Sequence, residues 1–157
     1  MTAARPSHRI HRSAARLRAV QALYQRAMAG TPLPRLMAEF HDHRLQDASD
    51  EQAIATAEAD FFDDVVAGVA ARESELDALV ATYLAAGWTL ERLDPLLRQL
   101  LRAGAYELLA RPDVPRAAVI SAYVDVAHAF YPPAEAGFVN ALLDRVARAV
   151  RGEATGR

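Results

Sequence analysis

Cysteine is absent from this 157-residue sequence, and that single absence removes disulfides, thiolate metal sites and thiol nucleophiles together. It fits a reducing compartment. Lysine is absent as well: all 18 basic residues are arginine. Arginine is the better bidentate and stacking partner for phosphates and bases, although genome composition is the plainer cause. No stretch approaches the roughly 18 apolar residues needed to cross a bilayer, and the N-terminus lacks the apolar segment of a secretory signal. The chain reads as soluble and cytoplasmic. An arginine- and serine-bearing start also suits a mitochondrial transit peptide, but this one carries core-type residues. There is no Gly-rich phosphate loop, no G-x-S-x-G elbow and no H-E-x-x-H, so nothing supports an enzyme and no cofactor is expected.

What is present is enough apolar side chain, 52% of residues, to bury a continuous core in one ordinary domain. The charge is segregated. Residues 1 to 38 carry seven arginines and no acid; residues 39 to 77 balance to −10; the remainder balances to +1. A basic arm on an acidic body favours polyanion binding by one end only.

Apolar spacing is helical almost throughout, and no alternating strand is convincing. The expected class is all-α. A first helix runs from about Ser7 to Ala29 with Ile10, Leu17, Val20, Tyr24 and Met28 on one face, ended by Gly30 and Pro32. Leu33, Leu36, Met37 and Phe40 suggest a second, and an acidic connector with Asp47, Ser49, Asp50 and Glu51 follows. Phe62, Val65, Val66 and Val69 stripe a third. Leu76, Leu79, Val80, Tyr83 and Leu84 make a fourth, closed by Gly87. Thr89 can cap a short turn, and Asp94-Pro95 is a strong start for a long fifth helix that stops at Arg111-Pro112. Val119, Ile120, Tyr123, Ala127 and Phe130 stripe the sixth, and Phe138, Val139, Leu142, Leu143, Val146 and Val150 the last.

Arg5, Arg9, Arg12 and Arg16 are spaced 4, 3 and 4, so a helix reaching that far aligns them beside its apolar face. Such a ridge can follow a phosphate backbone. A solvated helix face would usually interleave acids with the arginines, and none occurs before Glu39. His41 and His43 point apart on a helix and have no third ligand nearby, so no metal site is expected. Asp60, Asp63 and Asp64 read as a solvated outer face. Phe138, in Phe138-Val139-Asn140, is either core or a rim aromatic that stacks an unpaired base.

Ala15-Arg16, Ala19 through Tyr24, Phe62 through Val69, Trp88-Thr89-Leu90-Glu91-Arg92, Leu101 through Leu109, Asp113-Val114-Pro115, Phe138-Val139-Asn140 and Leu143-Asp144, in this order and spacing, resemble the NusB transcription-antitermination family. The resemblance runs from about Ser7 to Val150. It implies about seven helices packed as two small bundles, a single domain over residues 1–151 with subdomains at about 7–86 and 88–151, and a tail at 152–157. It also implies no active site, binding of boxA-like single-stranded leader RNA of ribosomal RNA operons, and pairing with NusE, a ribosomal small-subunit protein, and through it with the RNA polymerase elongation complex. Arg5, Arg9, Arg12, Arg16 and Phe138 would touch RNA. The chain departs from the family pattern at Ser121, Ala122, Gly137 and Ala141, where Asn, Glu, Lys and Gly are usual. A protein-interaction module without intrinsic RNA binding is the competing reading, and homodimerisation is left open.

Overall fold

The computed structural model describes residues 6–47 and 52–152, with side chains described for 12–42 and 58–152. Among the described residues there are seven α-helices, one 3₁₀ turn and no strand: α1 (Pro6–Ala29), α2 (Leu33–Asp47), α3 (Gln52–Ala71), α4 (Glu73–Thr82), the 3₁₀ turn (Leu90–Arg92), α5 (Pro95–Ala110), α6 (Arg116–Phe130) and α7 (Pro133–Arg151). The class is all-α, as the periodicity indicates. Two compact units divide inside α3, between Gly68 and Val69. In the second unit α4 is tied to α5: Arg98 and Arg102 both donate to the Asp77 carboxylate, Arg102 through Nε and Nη2 at 2.7 Å each.

In the first unit α1 packs on α2, and the Phe40 and Phe62 rings stack with centroids 3.8 Å apart. Gly30 adopts φ +70°, the left-handed geometry that closes a helix, and its N–H returns to the Arg26 carbonyl at 3.0 Å. The acidic connector's residues 48–51 lie outside the described residues.

In the second unit α5 is the central helix, packed by α4, α6 and α7. Every residue from Gln99 to Leu108 is buried, Gln99, Arg102 and Glu107 among them, so the helix is surrounded and its polar side chains must find partners inside the unit. Asp94 caps it, its Oδ2 accepting from the N–H groups of Leu96 at 3.2 Å and Leu97 at 3.3 Å with Pro95 at the first helical position. Gly104 allows α7 to approach: a Cβ there would meet Leu143 Cδ1 at 2.8 Å. Overpacking of this kind costs about 1–3 kcal/mol. Glu107, the one fully buried carboxylate of α5, accepts from the Tyr123 hydroxyl at 2.5 Å across to α6. Pro133 does not merely end α6: it occupies the first turn of α7, where its missing N–H costs nothing.

Candidate nucleic-acid interface

The residues singled out in the sequence fall into two places, one in each unit. Arg5 lies outside the described residues. Arg9 is a residue of α1 whose side chain lies outside them. Arg12 is half-buried, and its guanidinium carbon sits 4.4 Å from the centroid of the Phe61 ring of α3. Arg16 is 5% exposed, with its guanidinium carbon 5.0 Å from the same centroid. The two cations share one aromatic face, a contact worth about 0.5–2 kcal/mol depending on desolvation.

Arg16 therefore departs from the expected outward ridge, and helical geometry explains it. At about 100° per residue, Ala19, Val20 and Leu23 all fall within about 60° of Arg16, and all three are buried at 1% exposure or less. The arginine ridge runs into the buried face at its C-terminal end. Tyr24 and Met28, assigned to that face by pattern, are instead exposed. The buried face includes the small residues Ala15 and Ala19, whose weak hydrophobic signal is easily passed over in a pattern of large side chains.

The acid cluster is likewise not uniformly solvated. The His41 Nε2–H donates to Asp63 Oδ1 at 3.0 Å, joining α2 to α3, while Asp60 is exposed. Among the described residues, no three His, Cys, Asp or Glu side chains come together as a metal ligand set.

Phe138 is half-buried in α7 and lines a cleft of about 340 Å³ in the second unit. Trp88, Arg92, Asp94, Tyr131 and Glu135 line it too, over an apolar floor that includes Leu93 and Leu97. Trp88 is 49% exposed, and the Arg92 guanidinium carbon lies 5.3 Å from its ring centroid while Nη1 donates to the Gly87 carbonyl at 2.6 Å. Gly87 adopts φ +87°, which turns the chain tightly enough to present Trp88. Tyr131 donates its hydroxyl to Asp94. Burial, and then this hydrogen bond, push the Tyr131 phenol above its ordinary range.

Pattern reading alone missed Trp88, Arg92, Tyr131 and Glu135. The Trp88–Arg92 stretch was visible as a shared motif without a role, since the residues that complete the cleft lie some 40 positions on. Gly137, where a lysine is usual, is exposed, with nothing within 4 Å of an added Cβ. Ser121 is exposed and Ala122 half-buried on α6, and Ala141 is exposed on α7.

Comparison with known proteins adds an independent line. The model of the NusB family matches residues 13–148. The chain is 55% identical over 140 residues to "Transcription antitermination protein NusB" of Sphingopyxis alaskensis, covering 89% of this chain and 94% of that one. Over 140 residues it is 58% identical to the protein of the same name from Novosphingobium aromaticivorans, covering 89% and 95%. Its fold matches T. maritima NusB with a TM-score of 0.68 at 27% identity, over 87% of this chain and 90% of that chain. A structure described as antitermination factors NusB and NusE in complex with dsRNA matches at TM-score 0.74 and 21% identity, over 88% and 97%, a likeness of fold. The chain belongs to the NusB family, non-enzymatic proteins of transcription antitermination.

Proposed function

We propose that this chain acts in the cytoplasm as an RNA-binding antitermination factor. It binds boxA-like single-stranded leader RNA of ribosomal RNA operons together with NusE, and through NusE acts on the RNA polymerase elongation complex. The observation that carries the RNA part is the acid-free first helix, on which Arg12 is held over Phe61 at 4.4 Å. An arginine braced against an aromatic ring has lost part of its side-chain freedom before RNA arrives, so less entropy is lost on binding. Arg5, Arg9 and Arg12 are the phosphate contacts in this reading. Arg16, buried against the same ring, braces Arg12 and Phe61, and Phe138 supplies a face for base stacking.

Titration of a boxA-like strand across salt tests it. Each phosphate contact adds about 0.7 to the slope of log affinity against log salt for a single strand. Changing Arg9 and Arg12 together to Ala should flatten the slope by about 1.4. Arg16→Ala should lower the melting temperature and leave the slope of the folded protein unchanged. An unchanged slope in the double variant overturns the arm as the RNA site. A wild-type chain that binds NusE but no RNA at any salt supports the interaction-module reading instead.

A further inference from the structure

We infer that the cleft of the second unit is a pocket for a single unpaired guanine of the bound strand, and that Glu135 selects it. The inference rests on the RNA-binding reading above and deepens it.

The shape comes first. A volume of about 340 Å³ is at the lower end of the roughly 300–1,000 Å³ typical of small-ligand sites. It has room for one flat ring system but not for a length of chain. Trp88, Tyr131 and Phe138, from three separate segments, bring aromatic surface to it, and unpaired bases stack on such side chains. Trp88 remains 49% exposed, an open aromatic face at a site that is otherwise apolar-floored.

The polar groups then decide which base. Arg92 is held at the mouth by Trp88 and by the Gly87 carbonyl, and its remaining N–H groups suit the phosphate that must accompany an inserted base. Asp94 has one oxygen engaged, its Oδ2 accepting from Leu96, Leu97 and the Tyr131 hydroxyl, so it cannot offer two free oxygens to one base. Glu135 can. It stands at the third position of α7, where a glutamate ordinarily reaches back to the backbone N–H of the N-cap residue. Here the N-cap is Pro132, which has no N–H. Among the described residues, the Glu135 carboxylate has no side-chain hydrogen bond or ion pair.

An ionised carboxylate only accepts, and its two oxygens accept two parallel N–H bonds. Guanine alone among the four bases presents two adjacent donors, N1–H and the 2-amino group, on its Watson–Crick edge. Adenine and cytosine set one amino group beside a ring-nitrogen acceptor that the carboxylate would repel, and uracil sets one N–H between two carbonyls. A free carboxylate on the rim of an aromatic cleft therefore favours guanine.

The test uses the full-length chain and three labelled single-stranded oligouridylates that differ at one central position, guanine, inosine or adenine. Inosine keeps N1–H and lacks the 2-amino group. Trp88 is the only tryptophan, so its fluorescence reports occupancy of the cleft directly. The wild-type chain should bind the guanine strand about tenfold more tightly than the inosine strand, the lower range for a bidentate base contact, with quenching of Trp88. Glu135→Gln, which offers one donor and one acceptor, should abolish that difference. Equal binding of the three strands, or a preference that survives Glu135→Gln, overturns the pocket while leaving the RNA reading intact. Absence of binding to all three and to a boxA-like strand overturns both. Quenching of Trp88 by NusE and not by RNA assigns the cleft to a protein partner and overturns the inference.

Discussion

Arg151 closes the second unit, and removing it should be costly. Its Nε donates to the Leu108 carbonyl at 2.8 Å, Nη1 to Val114 at 2.7 Å, and Nη2 to Glu107 at 3.1 Å and Arg111 at 2.8 Å. These carbonyls lie in the last turn of α5 and the loop behind it; those of Glu107 and Arg111 also accept from the N–H groups of Arg111 and Val114, so Arg151 is a second partner for those two, and a cation there is favoured by the helix dipole. Burial pulls the guanidinium pKa down from its ordinary value, yet arginine remains cationic at any working pH. A hydrogen bond from a charged donor contributes about 1.5–3 kcal/mol. One side chain serves all four acceptors, and water can reach some of them at a half-exposed site. Arg151→Met, which keeps the stem, should therefore destabilise by about 3 kcal/mol rather than four times a single bond. For a chain of this size that lowers Tm by roughly 6–12 °C. Arg151→Lys keeps the charge but not the fork, and should recover at most about half. Thermal and urea melts followed by far-UV circular dichroism measure both. A Met variant within about 1 kcal/mol of wild type would show that water replaces these contacts, and would refute the reasoning.

Three further outcomes are expected. Burial alone would raise the Asp77 carboxyl, but the hydrogen bonds and charges of Arg102 and Arg98 outweigh it and hold it below its ordinary value. Its stabilising contribution is therefore present above the ordinary aspartate value of about 4 and lost as pH falls through the depressed folded value, so the stability gap between wild type and Asp77→Asn in urea melts should be full at pH 7 and close as the carboxyl protonates in acid; a gap independent of pH refutes the linkage. Gly137→Lys places a side chain in open space on an exposed helical position, which should add about 0.5–1 kcal/mol of stability and steepen the salt dependence of RNA binding, whereas a destabilised variant would mean that the site is not open. Finally, residues 39–77 balance to −10, which disfavours phosphate binding by that stretch, so saturating NusE should tighten a boxA-like strand at least tenfold, about 1.4 kcal/mol of coupling. Linkage requires RNA to tighten the NusE complex by the same factor, and equal RNA affinity with and without NusE sinks the idea.

The helices were legible because their signals are local. Asp94-Pro95 starts α5, Gly30 ends α1 with positive φ, and leucines at helical spacing mark buried faces that need no knowledge of the partner, whereas the fourth helix, expected to include Tyr83 and Leu84 and to close at Gly87, ends at Thr82. What ties α4 to α5 was not legible in the same way. Asp77 reaches Arg98 and Arg102 more than twenty residues away, a pairing invisible to periodicity.

The interface was half legible for a related reason. A helical ridge of arginines is a statement about spacing, but whether its last member faces solvent depends on where the apolar arc is centred. Weighting large residues placed that arc on Tyr24 and Met28. The structure centres it near Arg16, where Ala15 and Ala19 are fully buried and the Arg16 guanidinium carbon lies 5.0 Å from the Phe61 ring centroid. In the same way Phe138 could be named from its motif, but Glu135 gains meaning only when Pro132 is recognised as the N-cap. A glutamate at the third helical position ordinarily has a backbone partner, and only the proline removes it. The chemistry proposed for both places thus hangs on small or N–H-less residues beside the charged ones: Ala15 and Ala19 on the buried face with Arg16, and a proline N-cap that gives the Glu135 carboxylate no backbone N–H.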